Sequence, residues 1–123
     1  MSTLKADTIQ STGGGAATPT KQSPAKMWAF IEGTGTPSIT GSFNVASLTD
    51  EATAVVRANF TNNMSNANFS NLGMPREDSE VVMMQELEST YVRATTSMVL
   101  KTHSTSATVD TQGRNYGLFG DLA

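Results

Sequence analysis

The densest cluster of side chains capable of chemistry is Glu77, Asp78 and Glu80, which follows Pro75-Arg76. A pair of carboxylates can cleave a glycoside only when the two face each other across the sugar ring. Neighbours on one loop do not do so; an enzyme of that kind would need Asp50 or Asp78 opposed to Glu80. A calcium ion wants roughly six to eight oxygen ligands, and the spacing here matches no calcium loop, so the segment reads as a solvated acidic loop. The one histidine, His103, lies among Ser and Thr residues with no local nucleophile–carboxylate pattern. Gly33-Thr34-Gly35 has part of a phosphate-binding loop but is followed by Pro37 and a β-rich run rather than by a helix; it reads as a hairpin turn. Gly13-Gly14-Gly15 lacks the lysine and helix of a P-loop and reads as a hinge. These residues yield no catalytic set and no cofactor or metal site, and the expectation is a protein that binds rather than catalyses.

The elements that would position any site are strands. Lys26 to Ile31 is an apolar run of strand length, and Ile39 to Thr49 reads as a second strand with Phe43 and Val45 on one face. Asp50-Glu51-Ala52 reads as a polar connection, and Thr53 to Phe60 alternates with Ala54, Val56, Ala58 and Phe60 on one side. Ala67 to Leu72, Tyr91 to Lys101 and Asn115 to Phe119 complete the clear strands, with residues 73–78 an excursion loop and 103–111 a hairpin region. Residues 80–88 fit both periods, and the strand neighbours favour a strand. Strands spaced about ten residues apart, with turn residues between them, predict an all-β fold, an antiparallel β-sandwich of jelly-roll-like type over residues 26–123.

Charge and composition limit the partners. The 123 residues carry a net charge of −3, and the basic residues are scattered from Lys5 to Arg114, unlike the basic face of a nucleic-acid binder. Cysteine is absent, which removes disulfides and thiolate metal sites. No apolar run reaches membrane-spanning length, and the start lacks the apolar core of a signal peptide, so neither membrane insertion nor Sec-type export is expected. Of the aromatic residues, most lie on strand patterns where core packing is the default; Tyr91 and Tyr116 are the better candidates for exposure.

Residues 1–25 differ from the rest. Leu4 and Ile9 are the only sizeable apolar side chains after Met1, the glycine triplet follows, and no aromatic precedes Trp28. Such a segment cannot bury enough apolar surface to offset the entropy of ordering its backbone. It reads as an extended N-terminal anchor that orders against a partner, with Thr3 to Gln10 adding a strand to an exposed edge.

The residues also carry a resemblance. Ser2-Thr3-Leu4-Lys5-Ala6-Asp7-Thr8-Ile9-Gln10-Ser11-Thr12-Gly13-Gly14-Gly15, then Thr20-Lys21-Gln22, resembles the leader of tail-fibre-like virion proteins of marine tailed bacteriophages. Ala25-Lys26 with Trp28, Gly33-Thr34-Gly35-Thr36, Ser42-Phe43-Asn44-Val45, Ser47 with Thr49-Asp50, Asn59-Phe60-Thr61 with Met64, Ala67-Asn68-Phe69 and the ending Phe119-Gly120-Asp121-Leu122-Ala123 follow in that family's order. The chain departs from the pattern at Pro24, at Glu51-Ala52-Thr53 where a glycine-rich turn is usual, and through residues 74–90.

The resemblance implies a virion component without enzymatic activity, made in the host cytoplasm and released by lysis. It implies anchoring to other virion proteins, of tail or capsid, through residues 2–22, with Thr3, Leu4, Asp7 and Ile9 as the contacts, and a homo-oligomer, by analogy a trimer. The divergent stretch marks Arg76, Glu77 and Asp78, together with Tyr91 and Tyr116, as a candidate recognition surface for a host-surface glycan. The alternative role on the same resemblance is a capsid decoration or head-fibre protein that locks onto the shell through the same leader.

Overall fold

Alternation in Met27-Trp28-Ala29-Phe30-Ile31 becomes a strand with Met27, Ala29 and Ile31 buried and Trp28 turned outward. This is the period-two geometry of a sheet with one face on a core. The computed structural model describes residues 10, 12–13, 24–76, 82–85, 91–104, 107 and 110–123. Its strands are β1 (Met27–Glu32), β2 (Ser38–Phe43), β3 (Val45–Ala52), β4 (Val55–Phe60), β5 (Ser70–Arg76), β6 (Val82–Gln85), β7 (Ser97–Ser104) and β8 (Gly113–Phe119). They form two four-stranded antiparallel sheets, ordered β2-β1-β8-β5 and β3-β4-β7-β6. The fold is therefore all-β and sandwich-like, and no helix occurs among the described residues.

The inner faces supply the core. Met27 and Ile31 from β1 and Leu118 from β8 meet Ala58, Phe60, Met98 and Leu100 from β4 and β7. Phe60 and Phe69 pack edge to face at 6.1 Å between ring centroids, and the Arg93 guanidinium lies 5.3 Å from the Phe69 ring centre. Burying one such aliphatic or aromatic side chain is worth about 1.5–3 kcal/mol.

Several elements depart from the expected boundaries, each for a physical reason. The single strand expected over residues 39–49 is two strands, because the chain changes sheet at Asn44. Asp50-Glu51-Ala52 is not a connection but the end of β3, which turns at Thr53-Ala54. Gly73 to Arg76 belongs to β5 rather than to a loop: Pro75 is tolerated because β5 is an edge strand. The strand expected from Tyr91 begins only at Ser97, where four consecutive residues are buried and alternation no longer marks the faces. His103 sits half-buried on β7, not in a loop, and its Nδ1 lies against the Ser104 carbonyl. The expected hairpin over residues 103–111 does not join β7 to β8, which lie in different sheets; residues 105–106 and 108–109 are outside the described residues. In the ambiguous segment, Val82–Gln85 is a strand paired with β7. The sandwich starts at Met27, and of the expected anchor residues 1–9, 11 and 14–23 lie outside the described residues.

Asn44 makes the change of sheet in one residue. Its φ is 60°, a left-handed conformation that Asn adopts more readily than most side chains. The side chain is nearly buried and fully engaged: Nδ2 donates to the Lys26 and Asn62 carbonyls, both at 3.0 Å, and Oδ1 accepts the Asn62 N–H at 2.6 Å. Replacement by Ala removes these bonds and keeps the strained φ. Asn44→Ala is expected to cost roughly 3 kcal/mol, and Asn44→Gly roughly 1 kcal/mol less because glycine accepts that φ. Urea unfolding of the two variants checks the order; equal losses would show that the backbone conformation there carries no strain.

Candidate binding surface

The two outer faces of the sandwich differ. On the β3-β4-β7-β6 sheet the outward side is polar around Asn59, whose Nδ2 donates to Ser47 Oγ at 3.0 Å and to Thr49 Oγ1 at 3.1 Å, while Met83 of β6 is exposed at 56%. Beside them Arg57 is paired through Nε with Glu51 Oε1, bonds Ser97 Oγ through Nη1, and lies 5.9 Å from the centre of the Tyr91 ring. Around Asn59 and Arg57 this face is a network of Ser, Thr, Asn and a charged pair, whereas Val55 and Val99 on the same phase are buried.

The outer face of the β2-β1-β8-β5 sheet is apolar. The register aligns Phe43, Trp28, Gly117 and Leu72 in one row across the four strands, and Gly41, Phe30, Asn115 and Met74 in the next. Trp28, Phe43, Leu72 and Met74 are exposed at 47%, 51%, 66% and 71%. Glycines leave room for rings to lie flat: a Cβ on Gly41 would stand 3.5 Å from the Trp28 ring, and one on Gly113 would stand 3.0 Å from the Phe30 ring. Over Gly117 the surface falls into an open recess bordered by Leu72, Met74 and Asn115. The third row ends the apolar patch with Ser38, Glu32, Gly113 and Arg76. Contiguous exposed apolar surface of this kind marks contact sites more often than isolated exposed side chains do.

A third feature lies inside the sandwich, at the end away from Asn44. Arg114 of β8 is 1% exposed, and its Nη2 donates to Thr102 Oγ1 at 3.2 Å and reaches Asp110 Oδ1 at 3.5 Å. Its Nε and Nη1 have no hydrogen-bond partner among the described residues. Asp110 also accepts the N–H of Ala54 at 2.8 Å, where the β3–β4 turn holds a φ of 61°. The carboxylate thus joins the turn of one sheet to the buried cation of the other. Asp110 further borders an open recess with Asp50, Glu51, Gly35 and Thr36. Among the described residues no group of three or more His, Asp or Glu is placed to hold a metal ion.

Tyr116 requires a correction. It was expected as an exposed recognition residue, but it is buried at 5% exposure, because position 116 falls on the inward phase of β8 beside Arg114 and Leu118. Burial pushes its phenol up to about 12, although the nearby Arg114 charge pulls it partly back. Its hydroxyl lacks a well-formed hydrogen bond among the described residues. Tyr91 is half-buried beneath Arg57, and Arg76 is exposed at the end of β5. Thr3, Leu4, Asp7, Ile9, Glu77, Asp78 and Glu80 lie outside the described residues. The sequence reading missed the apolar face. Its trace was present in Lys26-Met27-Trp28-Ala29-Phe30-Ile31, which is apolar at both phases of the strand rather than one.

Comparison with protein-family models, with curated proteins and with solved structures finds no match to this chain.

Two outcomes follow from the buried end. Removing the Asp110 carboxylate leaves the Arg114 cation inside the sandwich without its anionic partner among the described residues. Asp110→Ala is expected to cost roughly 2–3 kcal/mol, less than the roughly 3–5 kcal/mol for breaking a fully buried pair because Asp110 is itself 38% exposed. Arg114→Met in the Asp110→Ala background should recover much of that loss, whereas additive losses in thermal unfolding would show the charge to be uninvolved. Tyr116 governs alkaline stability. Both states hold a neutral phenol below pH 10. As pH rises from 10 to about 12 the unfolded chain ionises and the folded chain does not, so stability falls across that window by about 2–3 kcal/mol. The loss should be absent in Tyr116→Phe, read by denaturant unfolding at stepped pH.

Proposed function

We propose that this chain is a bacteriophage virion structural protein of the tail-fibre class, held on the particle by its N-terminal segment and presenting the β-sandwich outward. The reading rests first on the ordered motif resemblance from Ser2 to Phe69 and from Phe119 to Ala123. The structural observation that supports it is the polarity of the sandwich. Pro24 and Ala25 lead into β1 at the Asn44 end, where the Lys26 N–H bonds the Leu118 carbonyl at 2.7 Å. The C-terminus is pinned at the same end, Ala123 N–H to Asn63 carbonyl at 2.9 Å. The opposite end presents the Gly33–Pro37 and Thr53–Ala54 turns together with Asp110. A domain tied at one end and displaying turns at the other suits attachment and presentation. In this reading the protein works by binding: Leu4 and Ile9 dock on another virion protein, and the sandwich contacts a host-surface glycan. The residues expected for that contact are not one surface, since Arg76 lies on the outer face of the β2-β1-β8-β5 sheet and Tyr91 lies against Arg57 on the other.

Deletion of residues 2–22 should abolish incorporation into particles while the remaining sandwich keeps its far-UV spectrum and cooperative unfolding. Particles that still carry the truncated chain, detected by mass spectrometry, would defeat the anchoring reading. Copy number in wild-type particles separates the two placements: a few to tens for a tail part, hundreds for a shell decoration.

A further inference from the structure

We propose that the apolar outer face of the β2-β1-β8-β5 sheet is an isologous interface with a second copy of this chain, paired about a two-fold axis that runs along the strands between β1 and β8. The inference stands on the face itself and does not depend on what the N-terminal segment binds.

The face has the composition of a protein contact rather than of a sugar platform. Its central rows carry Trp28, Phe43, Leu72 and Met74, with Asn115 the one polar side chain among them. A glycan needs several hydrogen-bonding groups around its stacking ring, whereas aromatic residues and Met are what protein interfaces concentrate at their centres.

The face is also complementary to itself. A two-fold axis along the strands, between β1 and β8, lays β1 over β8 of the second copy and β2 over β5, with each row meeting its own counterpart. Trp28 then stands over the second copy's Gly117. Since its ring leans toward β2, it enters the recess bordered by Leu72 and Met74. Phe43 meets Leu72 of the second copy in the same row. One copy thus provides a knob on β1 and a hollow on β8, equidistant from the axis, and each interaction occurs twice. In the third row Arg76 lies over Ser38 of the second copy, one strand from its Glu32, so opposite charges face each other at the rim. A three-fold ring would instead need two different patches that match each other. From the strand spacing and rise, the face measures about 400 Å² per copy, which places the pair among weak, reversible dimers.

Sedimentation equilibrium of the full chain tests this, across concentrations up to about 0.5 mM. The expected species is a reversible dimer of twice the 13.0 kDa chain mass. Leu72→Glu and Met74→Glu lie on an edge strand and outside the core; each should leave a folded monomer whose unfolding midpoint matches that of the parent chain at dilutions where both are monomeric. Glu32→Arg and Arg76→Glu should each weaken dimerisation roughly tenfold, and the double exchange should restore it to within about twofold. A chain that stays monomeric throughout, a trimer, or a dimer indifferent to Leu72→Glu each overturns the proposal. So does a monomer whose Trp28 emission shifts to the red when residues 1–23 are removed, because the face would then be covered by the chain's own leader.

Discussion

The sandwich depends on a corner one residue long. A chain leaving an edge strand of one sheet normally needs several residues to reach the other; here Phe43 ends β2 and Val45 begins β3. Asn44 makes this possible by taking a left-handed φ and by using its amide to hold three backbone groups that a corner would otherwise leave unpaired. Those groups belong to Lys26 and Asn62, the residue before β1 and the second after β4. The corner therefore references a central strand of each sheet to the other. Because β1 pairs with β8 and β4 with β7, the register of both sheet centres is tied to this one side chain.

The far end of the sandwich uses a different device. There Asp110 joins the Ala54 N–H of the β3–β4 turn to the Arg114 guanidinium inside the opposite sheet. The Thr102 N–H bonds the Ala54 carbonyl at 3.0 Å, so the turn is clasped on both sides. Such polar groups give little net stability compared with apolar residues of the same volume. Their value lies in geometry: a hydrogen-bonded guanidinium has few acceptable placements, whereas apolar side chains at an open sandwich end have many. Between the two polar ends the core from Met27 to Leu118 supplies the driving force without fixing how the sheets are aligned.

How much of this was legible in the sequence follows from which interactions are local. Strand alternation is local, so β1, β4 and β8 could be read directly, and the hairpin turn at Gly33–Pro37 followed from its residue chemistry. The change of sheet at Asn44 was not legible, because Ser42-Phe43-Asn44-Val45 keeps β character on both sides and only the bonds to Lys26 and Asn62 reveal the corner. Alternation also failed in β7, where Ser97 to Leu100 is buried on both faces. Tyr116 was misplaced for a related reason. Phase along β8 is set by pairing with β1 and β5, and Gly113 and Gly117 remove the side chains that would have shown it. The apolar outer face could not be separated from core, since exposed and buried apolar residues look the same until the second sheet is placed on one side.

That face bears on function through its glycines. Gly41, Gly113 and Gly117 all point outward on one sheet, in strands where glycine weakens the structure and often marks close approach of another surface. Larger side chains at these positions would cover Trp28 and Phe30 and fill the recess beside Leu72 and Met74. A sequence selected only to close its own core would gain stability from such residues and lose an exposed apolar patch. The patch of the opposite sheet where Asn59 bridges Ser47 and Thr49 shows that the same fold can build a polar sheet surface. The apolar rows of the β2-β1-β8-β5 sheet are therefore not required by the fold alone. The proposed association of a second copy would cover this patch without any further component.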